Sequence, residues 1–214
     1  MVSRLEYHGK IWLKSRMKTR KLVSETEENI MSYESLRERQ TASELKFDGK
    51  ILHLYRDDIE LPNGKPAERE VIRHVGAVCV IPVTDDGMAV MERQYRYPVD
   101  EVILEIPAGK LDSKEEDHES AARRELEEET GYQAEELIPL GKFYPAGAYS
   151  DETIWMYLAK GLKMGDRHPD ADEFLDVELI PLKDLVTEVL AGRIPDAKTQ
   201  IAVLKAAAHE GILK

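Results

Sequence analysis

From about Ser43 the chain reads as short runs of alternating apolar and polar residues separated by turn dipeptides. LKFDGKILHLYRDDIELPNGKPAEREVIRHV carries Asp48-Gly49 and Asn63-Gly64. Both are hairpin signals, so antiparallel strands are predicted across residues 43–75. GAVCVIPV, residues 76–83, is continuously apolar and predicts a strand buried on both faces. TDDG turns the chain, MAVMERQYR follows as a strand, and EVILEIPAG is a further short strand ending in a glycine-containing loop. The period then changes. Residues 117–130 predict a helix, with Asp117 as N-cap, Glu119 in the first turn, Gly131 just past the end and a small apolar face of Ala121, Ala122 and Leu126. LIPLGKFY, ETIWMYLAKGL and FLDVELIPL return to strand character. LKDLVTEVLAG and the stretch after Asp196, where Ile201, Leu204 and Ala208 share a face, predict two closing helices. This order gives an α/β or α+β fold with helices packed on a mixed sheet.

The first thirty residues differ. MVSRLEYHGKIWLKSRMKTRKLV is basic and poor in aliphatic residues, and it lacks the apolar core of a signal peptide. It reads as a flexible or partly helical extension over residues 1–42; a presequence, a nucleic-acid arm or a native start at Met31 are the other readings. Residues 43–75 form the N-terminal strands and residues 76–214 the main domain. A net charge of −12 argues against non-specific nucleic-acid binding. No apolar run reaches the roughly 18–20 residues of a membrane span. The single cysteine, Cys79, lies in the buried-strand run and cannot form an internal disulfide, so a cytoplasmic location is expected.

The predicted helix is strongly acidic. Glu127, Glu128 and Glu129 are consecutive and Glu125 precedes them. Like charges at helical spacing weaken a helix. At about 100° per residue, Glu125, Glu128 and Glu129 share one face while Glu127 points elsewhere. Two carboxylates about 5 Å apart repel by about 3 kcal/mol at an effective dielectric of 20, and by under about 1 kcal/mol in water. A solvated face therefore costs little. A partly buried face needs cations, and oxygen ligands alone suit Mg²⁺ or Mn²⁺.

The spacing goes further than charge. Arg124-Glu125-Leu126-Glu127-Glu128-Glu129-Thr130-Gly131-Tyr132 follows Glu116 by eight positions, and Gly109 lies before both. This stretch resembles the signature box of the Nudix hydrolases. Two departures stand out: six residues rather than five separate Gly109 from Glu116, and Tyr132 replaces the final aliphatic residue. LPNGKPAEREVIRHVGAV, RQYRYP, EIPAGKLD, FYPAGAYSDE and DAKT are similar to the ADP-ribose pyrophosphatase branch of that family. In that branch the loop after the box carries a proline in a Ser-Pro-Gly context. Here Pro145 is displaced by two positions, a change that bears on the sugar-side group.

The resemblance implies a Nudix-type α/β/α sandwich with a mixed sheet, preceded by N-terminal antiparallel strands. It implies Mg²⁺-dependent cleavage of ADP-ribose or a related nucleoside diphosphate sugar. Glu125 and Glu129, helped by Glu128, are then the metal-ligating side chains, with the Ala108 carbonyl as a backbone ligand. Arg124 orients the glutamates, and Glu116 either braces the loop or acts directly. Glu152 is the matching general base, with Asp151 and Glu128 as alternatives. Arg69, Glu70, Arg96 and Leu111 make up the substrate-binding set, and Tyr55 is a candidate for stacking on the base. His74 and His118 have no evident partner and read as structural or exposed. The resemblance also implies a homodimer that exchanges its N-terminal strands, although the hairpins fit an arm packed on its own subunit as well. The rival readings are cleavage of another nucleotide sugar such as GDP-mannose, and a binding-only sensor of ADP-ribose-type ligands.

Overall fold

In the computed structural model, residues 33–168 and 174–213 are described. The basic stretch up to residue 30 and Met31 lie outside them. Three strands come first: β1 (Arg39–Asp48), β2 (His53–Glu60) and β3 (Pro66–Arg73) form an antiparallel sheet in that order. The Asp48-Gly49 and Asn63-Gly64 dipeptides sit at its two turns. β1 begins at Arg39, four residues before the expected boundary at Ser43. The start was hidden because Arg39–Ser43 has Ala42 as its one apolar residue, so alternation begins only at Leu45 and Phe47. A short 3-10 turn over Glu34–Leu36 precedes it.

The rest of the strands split into two sheets where the sequence suggested one. β4 (Ala77–Pro82), β7 (Ala108–Lys110), β8 (Tyr132–Phe143) and β9 (Ile154–Met164) make a four-stranded sheet in the order β7-β4-β9-β8. β4 runs parallel to β9, and the other pairs are antiparallel. β5 (Met88–Arg96), β6 (Glu101–Glu105) and β10 (Leu175–Pro181) form an antiparallel sheet ordered β10-β5-β6.

Three helices cover the mixed sheet: α1 (His118–Thr130), α2 (Leu182–Leu190) and α3 (Ala197–His209). Alternation along β4 divides the core between them. Val78 and Val80 pack with Ala121, Ala122 and Leu126 of α1 on one face. Ala77, Cys79 and Ile81 pack with Leu182, Leu185, Ala202 and Val203 of α2 and α3 on the other. All six residues of β4 are buried, as a central strand covered by helices on both faces must be. Among the described residues no helix is long and apolar enough to cross a membrane.

Candidate active site

Helix α1 is held at both ends by its own sequence. Asp117 caps it by accepting from the Ser120 N–H at 2.9 Å. Gly131 ends it in the left-handed conformation at φ 76°, where its N–H reaches the Glu127 carbonyl. The face that turns inward carries Ala121, Ala122 and Leu126, and also Glu125 and Glu129, which are 8% and 3% exposed. Two carboxylates thus lie on the buried side, where repulsion is not screened by water.

Local cations and amides hold them. Arg124 donates to Glu125 at 2.6 Å, to Glu128 at 3.2 Å and to Glu116 at 3.2 Å. Burial works against the Arg124 charge, but the Glu125 and Glu116 carboxylates outweigh it and raise its pKa. Glu129 accepts from the Ala108 N–H at 2.9 Å, and Glu116 also accepts from the Asp112 N–H at 2.6 Å. Glu116 therefore ties the loop before α1 to the helix. Gly109 lies against Glu125: a Cβ added there would overlap its carboxylate. Glu127 bonds Gln133 instead.

These residues form one wall of a cleft of about 730 Å³. Ala108, Gly109, Arg124, Glu125 and Glu128 line it, and Glu152 faces them from the loop between β8 and β9. Arg96, at the end of β5, and Lys198, in the first turn of α3, also line the cleft. Both are anchored to one carboxylate. Arg96 donates to Glu105 through Nε at 2.7 Å and through its terminal nitrogen at 2.9 Å, and Lys198 pairs with the same group. Burial opposes the Arg96 charge, yet Glu105, Glu92 and Glu129 around it raise its pKa. One fully buried anion thus carries two cations at the cleft wall.

The carboxylates expected to converge on a metal are not gathered at one point. Glu125 and Glu128 accept from Arg124, and Glu129 accepts from the Ala108 N–H. Among the described residues no group of three His, Cys, Asp or Glu side chains forms a ready metal site. The donor chemistry nonetheless fits a hard divalent ion: two buried carboxylates and a third at the cleft lie within one helical face, beside a backbone segment at Ala108.

Other expected site residues lie elsewhere. Leu111 is fully buried in the core beneath α1, with Val78, Val80 and Leu126, so its side chain cannot meet a substrate. Arg69 and Glu70 lie on β3 outside the cleft, and Arg69 makes a two-point ion pair with Glu38. Tyr55 has the Arg73 guanidinium 4.4 Å from its ring centroid, so one stacking face is taken within the chain. It lines a smaller cavity of about 250 Å³ beside the cleft; the two share Ile51, His74 and Lys110.

Both histidines have partners that the sequence did not reveal. His118 stacks on Trp155 with ring centroids 3.6 Å apart. His74 lines the cleft, accepts the Gly76 N–H on Nδ1 at 3.0 Å, and stands 3.9 Å from Glu152. With Nδ1 accepting, the ring proton is on Nε2, so the His74–Glu152 approach is not an ion pair. Lys50, Asp112 and Lys198 also line the cleft without having been singled out. Lys198 and Asp112 had a sequence signal, as parts of DAKT and EIPAGKLD; Lys50 had none.

Comparison with known proteins adds the following. Residues 73–202 match the NUDIX domain, and residues 38–72 match the nucleoside diphosphate sugar hydrolase N-terminal domain. The chain is 44% identical over 171 residues to an ADP-ribose pyrophosphatase of Bacillus subtilis, covering 79% of this chain and 92% of the relative. It is also 44% identical over 168 residues to a methanol dehydrogenase activator of Bacillus methanolicus, covering 78% and 90%. A crystal structure of an ADP compounds hydrolase superposes with a TM-score of 0.72 at 23% identity, covering 82% of this chain and 97% of the other. That last likeness speaks for the fold.

Proposed function

The chain belongs to the Nudix hydrolase family, and from that premise we propose that it hydrolyses the pyrophosphate bond of ADP-ribose, releasing AMP and ribose 5-phosphate. The observation that carries this reading is the cleft itself, where the buried Glu125 and Glu129 of α1 stand behind one wall and Glu152, Arg96 and Lys198 occupy the others. Glu125, Glu128 and Glu129, with the carbonyl of Ala108, would hold Mg²⁺ or Mn²⁺. When bound, such an ion neutralises phosphate charge and lowers the pKa of a water. Glu152 acts as general base and takes the proton of the attacking water on a carboxylate oxygen. The water oxygen bonds to one phosphorus as the bridging P–O bond breaks, and the other phosphate leaves with the bridging oxygen. Arg124 orients the glutamates through its three ion pairs. Arg96 and Lys198 place positive charge where the diphosphate lies, and Arg96 suits it by its fork geometry.

The same proposal includes a cytoplasmic homodimer whose N-terminal strands complete the neighbouring subunit's cleft. It is supported by Arg69 and Glu70 lying outside their own cleft, and by the exposure of Leu45 and Phe47 on β1. The partners are small nucleotide sugars, with neither nucleic acid nor membrane. A second reading has one observation in its favour: the displaced Pro145 lines the cleft, so a different nucleotide sugar such as GDP-mannose could be preferred. The test is AMP release from ADP-ribose with Mg²⁺, beside GDP-mannose, UDP-glucose, NADH and a nucleoside triphosphate, with Glu129→Gln in parallel. ADP-ribose should turn over best and the variant should lose about 10²-fold or more in kcat. Equal turnover by the variant would refute the assignment of the acidic face.

A further inference from the structure

The loop that bears Glu152 is fastened on both sides. Beyond it, the Ala77 N–H of β4 donates to the Thr153 carbonyl at 3.0 Å. Before it, Ile72 of β3 donates its N–H to the Tyr149 carbonyl at 2.8 Å and accepts the Asp151 N–H at 3.1 Å. Within the loop, the Tyr149 and Ser150 N–H groups both reach the Ala146 carbonyl, and the Glu152 N–H reaches Ser150 Oγ at 3.1 Å.

One side chain closes this joint. Asp151 Oδ1 accepts the N–H of His74 at 2.6 Å. His74 is the first residue past β3, so its N–H has no partner on β2, whose pairing ends at Arg73. Past the ladder this N–H is open to water or a side chain, and Asp151 accepts it across 77 positions of sequence. The other oxygen, Oδ2, stands 3.9 Å from Lys114 Nζ on the loop before α1. Both members of that pair are largely exposed, so it adds little. Glu152 lines the cleft and its neighbour Asp151 does not.

We propose that Asp151 is a positioning residue for the hydrolysis: by binding the His74 N–H it locks the 149–153 loop onto the end of β3 and holds the Glu152 carboxylate at the cleft wall. This rests on the role given to Glu152 above. It gives different tasks to two adjacent carboxylates, Glu152 as the base and Asp151, its alternative in the sequence, as the anchor. Asp151 faces the N-terminal sheet and Glu152 faces the substrate. It also makes the N-terminal sheet part of the catalytic geometry, because β3 sets where the base-bearing loop sits.

The test compares Asp151→Asn with Asp151→Ala. Asparagine keeps an Oδ1 acceptor of the same reach, and alanine removes it. The asparagine variant should keep about a third or more of the wild-type kcat, while alanine should lose about 10²-fold, the scale of an ångström of misplacement at a reacting centre, with KM little changed. In a Glu152→Gln background, adding Asp151→Ala should cost no more than about twofold, because the two residues act as a unit. Amide hydrogen exchange over residues 149–153 reads the joint without substrate, and should quicken in the alanine variant only. Asparagine as damaged as alanine would overturn the proposal, since a charge or a base would then be what matters. Full activity in the alanine variant, or a multiplicative loss on top of Glu152→Gln, would overturn it too. If the wild type cleaves none of the nucleotide sugars while exchange responds as stated, the proposed reaction fails and the joint stands as a structural clamp; if exchange is the same in both variants, the joint itself is refuted.

Discussion

Gly109→Ala isolates the acidic face from the stability of the fold. An alanine Cβ at this position overlaps the Glu125 carboxylate, and Gly109 has an ordinary negative-φ backbone, so the substitution adds no strain of its own. Ordinary van der Waals contact requires the carboxylate to retreat by about 1 Å or more, a displacement that at a reacting centre costs about 10²-fold in rate. The far end of the glutamate can yield by turning a side-chain torsion about 30° off its rotamer, at about 0.5–1.5 kcal/mol. For a chain of this size that is a Tm loss of about 1–6 °C. Activity should therefore collapse while the fold stays intact. The assay is kcat and the Mg²⁺ concentration for half-maximal rate, beside thermal unfolding of the same preparation. A fall of about 10²-fold in kcat/KM, with a higher Mg²⁺ requirement and a small Tm change, is the expected result. Unchanged turnover at the same Mg²⁺ dependence would refute the placing of Glu125 among the metal ligands. A large Tm loss that tracks the activity loss would refute the separation of site from core.

Leu111→Ala should cost about 2–5 kcal/mol of stability by opening a cavity in the core beneath α1, seen as a lower Tm with little change in KM; a raised KM at constant Tm would put the side chain back at the substrate. Burial pushes the Asp57 carboxyl up, but the Ser43 hydroxyl and the Arg73 guanidinium outweigh it and hold it below the usual range. A depressed folded pKa means that the unfolded chain binds the extra proton, so this stability is present above about pH 4 and is lost as pH falls through the lower folded value. Denaturant unfolding from pH 6 downward should show it, and Asp57→Asn should flatten that acid slope. Burial raises the Cys79 thiol to about 12, so a thiol-specific reagent at pH 8 should label it only after unfolding; labelling at the rate of a free thiol in the native state would contradict that burial.

The elements with strong periodicity were legible in the sequence. β4 and α1 were readable because their signals are local: a continuous apolar run, a capping aspartate and a terminal glycine. Asp196 likewise caps α3 by accepting from the Thr199 N–H. β1 was misplaced at its start because its first five residues, RQTAS, carry no alternation. The acidic face was readable from spacing, and so was Arg124 as its partner, but the backbone amide that holds Glu129 was not. Arg124 was adjacent in sequence, whereas the Ala108 amide that holds Glu129 is 21 positions away. The burial of Leu111 was not readable, because nothing local marks which way the first residue past β7 turns. His74 looked partnerless because its neighbours, Asp151 and Glu152, come from a loop more than seventy positions downstream.

The docking of α3 has a consequence for the order in which the chain becomes competent. Thr199 Oγ1 accepts the Ile106 N–H at 3.0 Å, and Lys198 reaches Glu105, each across 93 positions. A ribosome delivers the hairpins, the box helix and the Glu152 loop well before it delivers these two residues. Until then Glu105 has no lysine and the Ile106 amide, two residues from Ala108, has no acceptor. Contacts of such long range are also slow to close. A nascent chain stopped short of Asp196 therefore carries every residue of the acidic signature and still lacks a finished cleft, so the late arrival of α3 acts as the latch on synthesis.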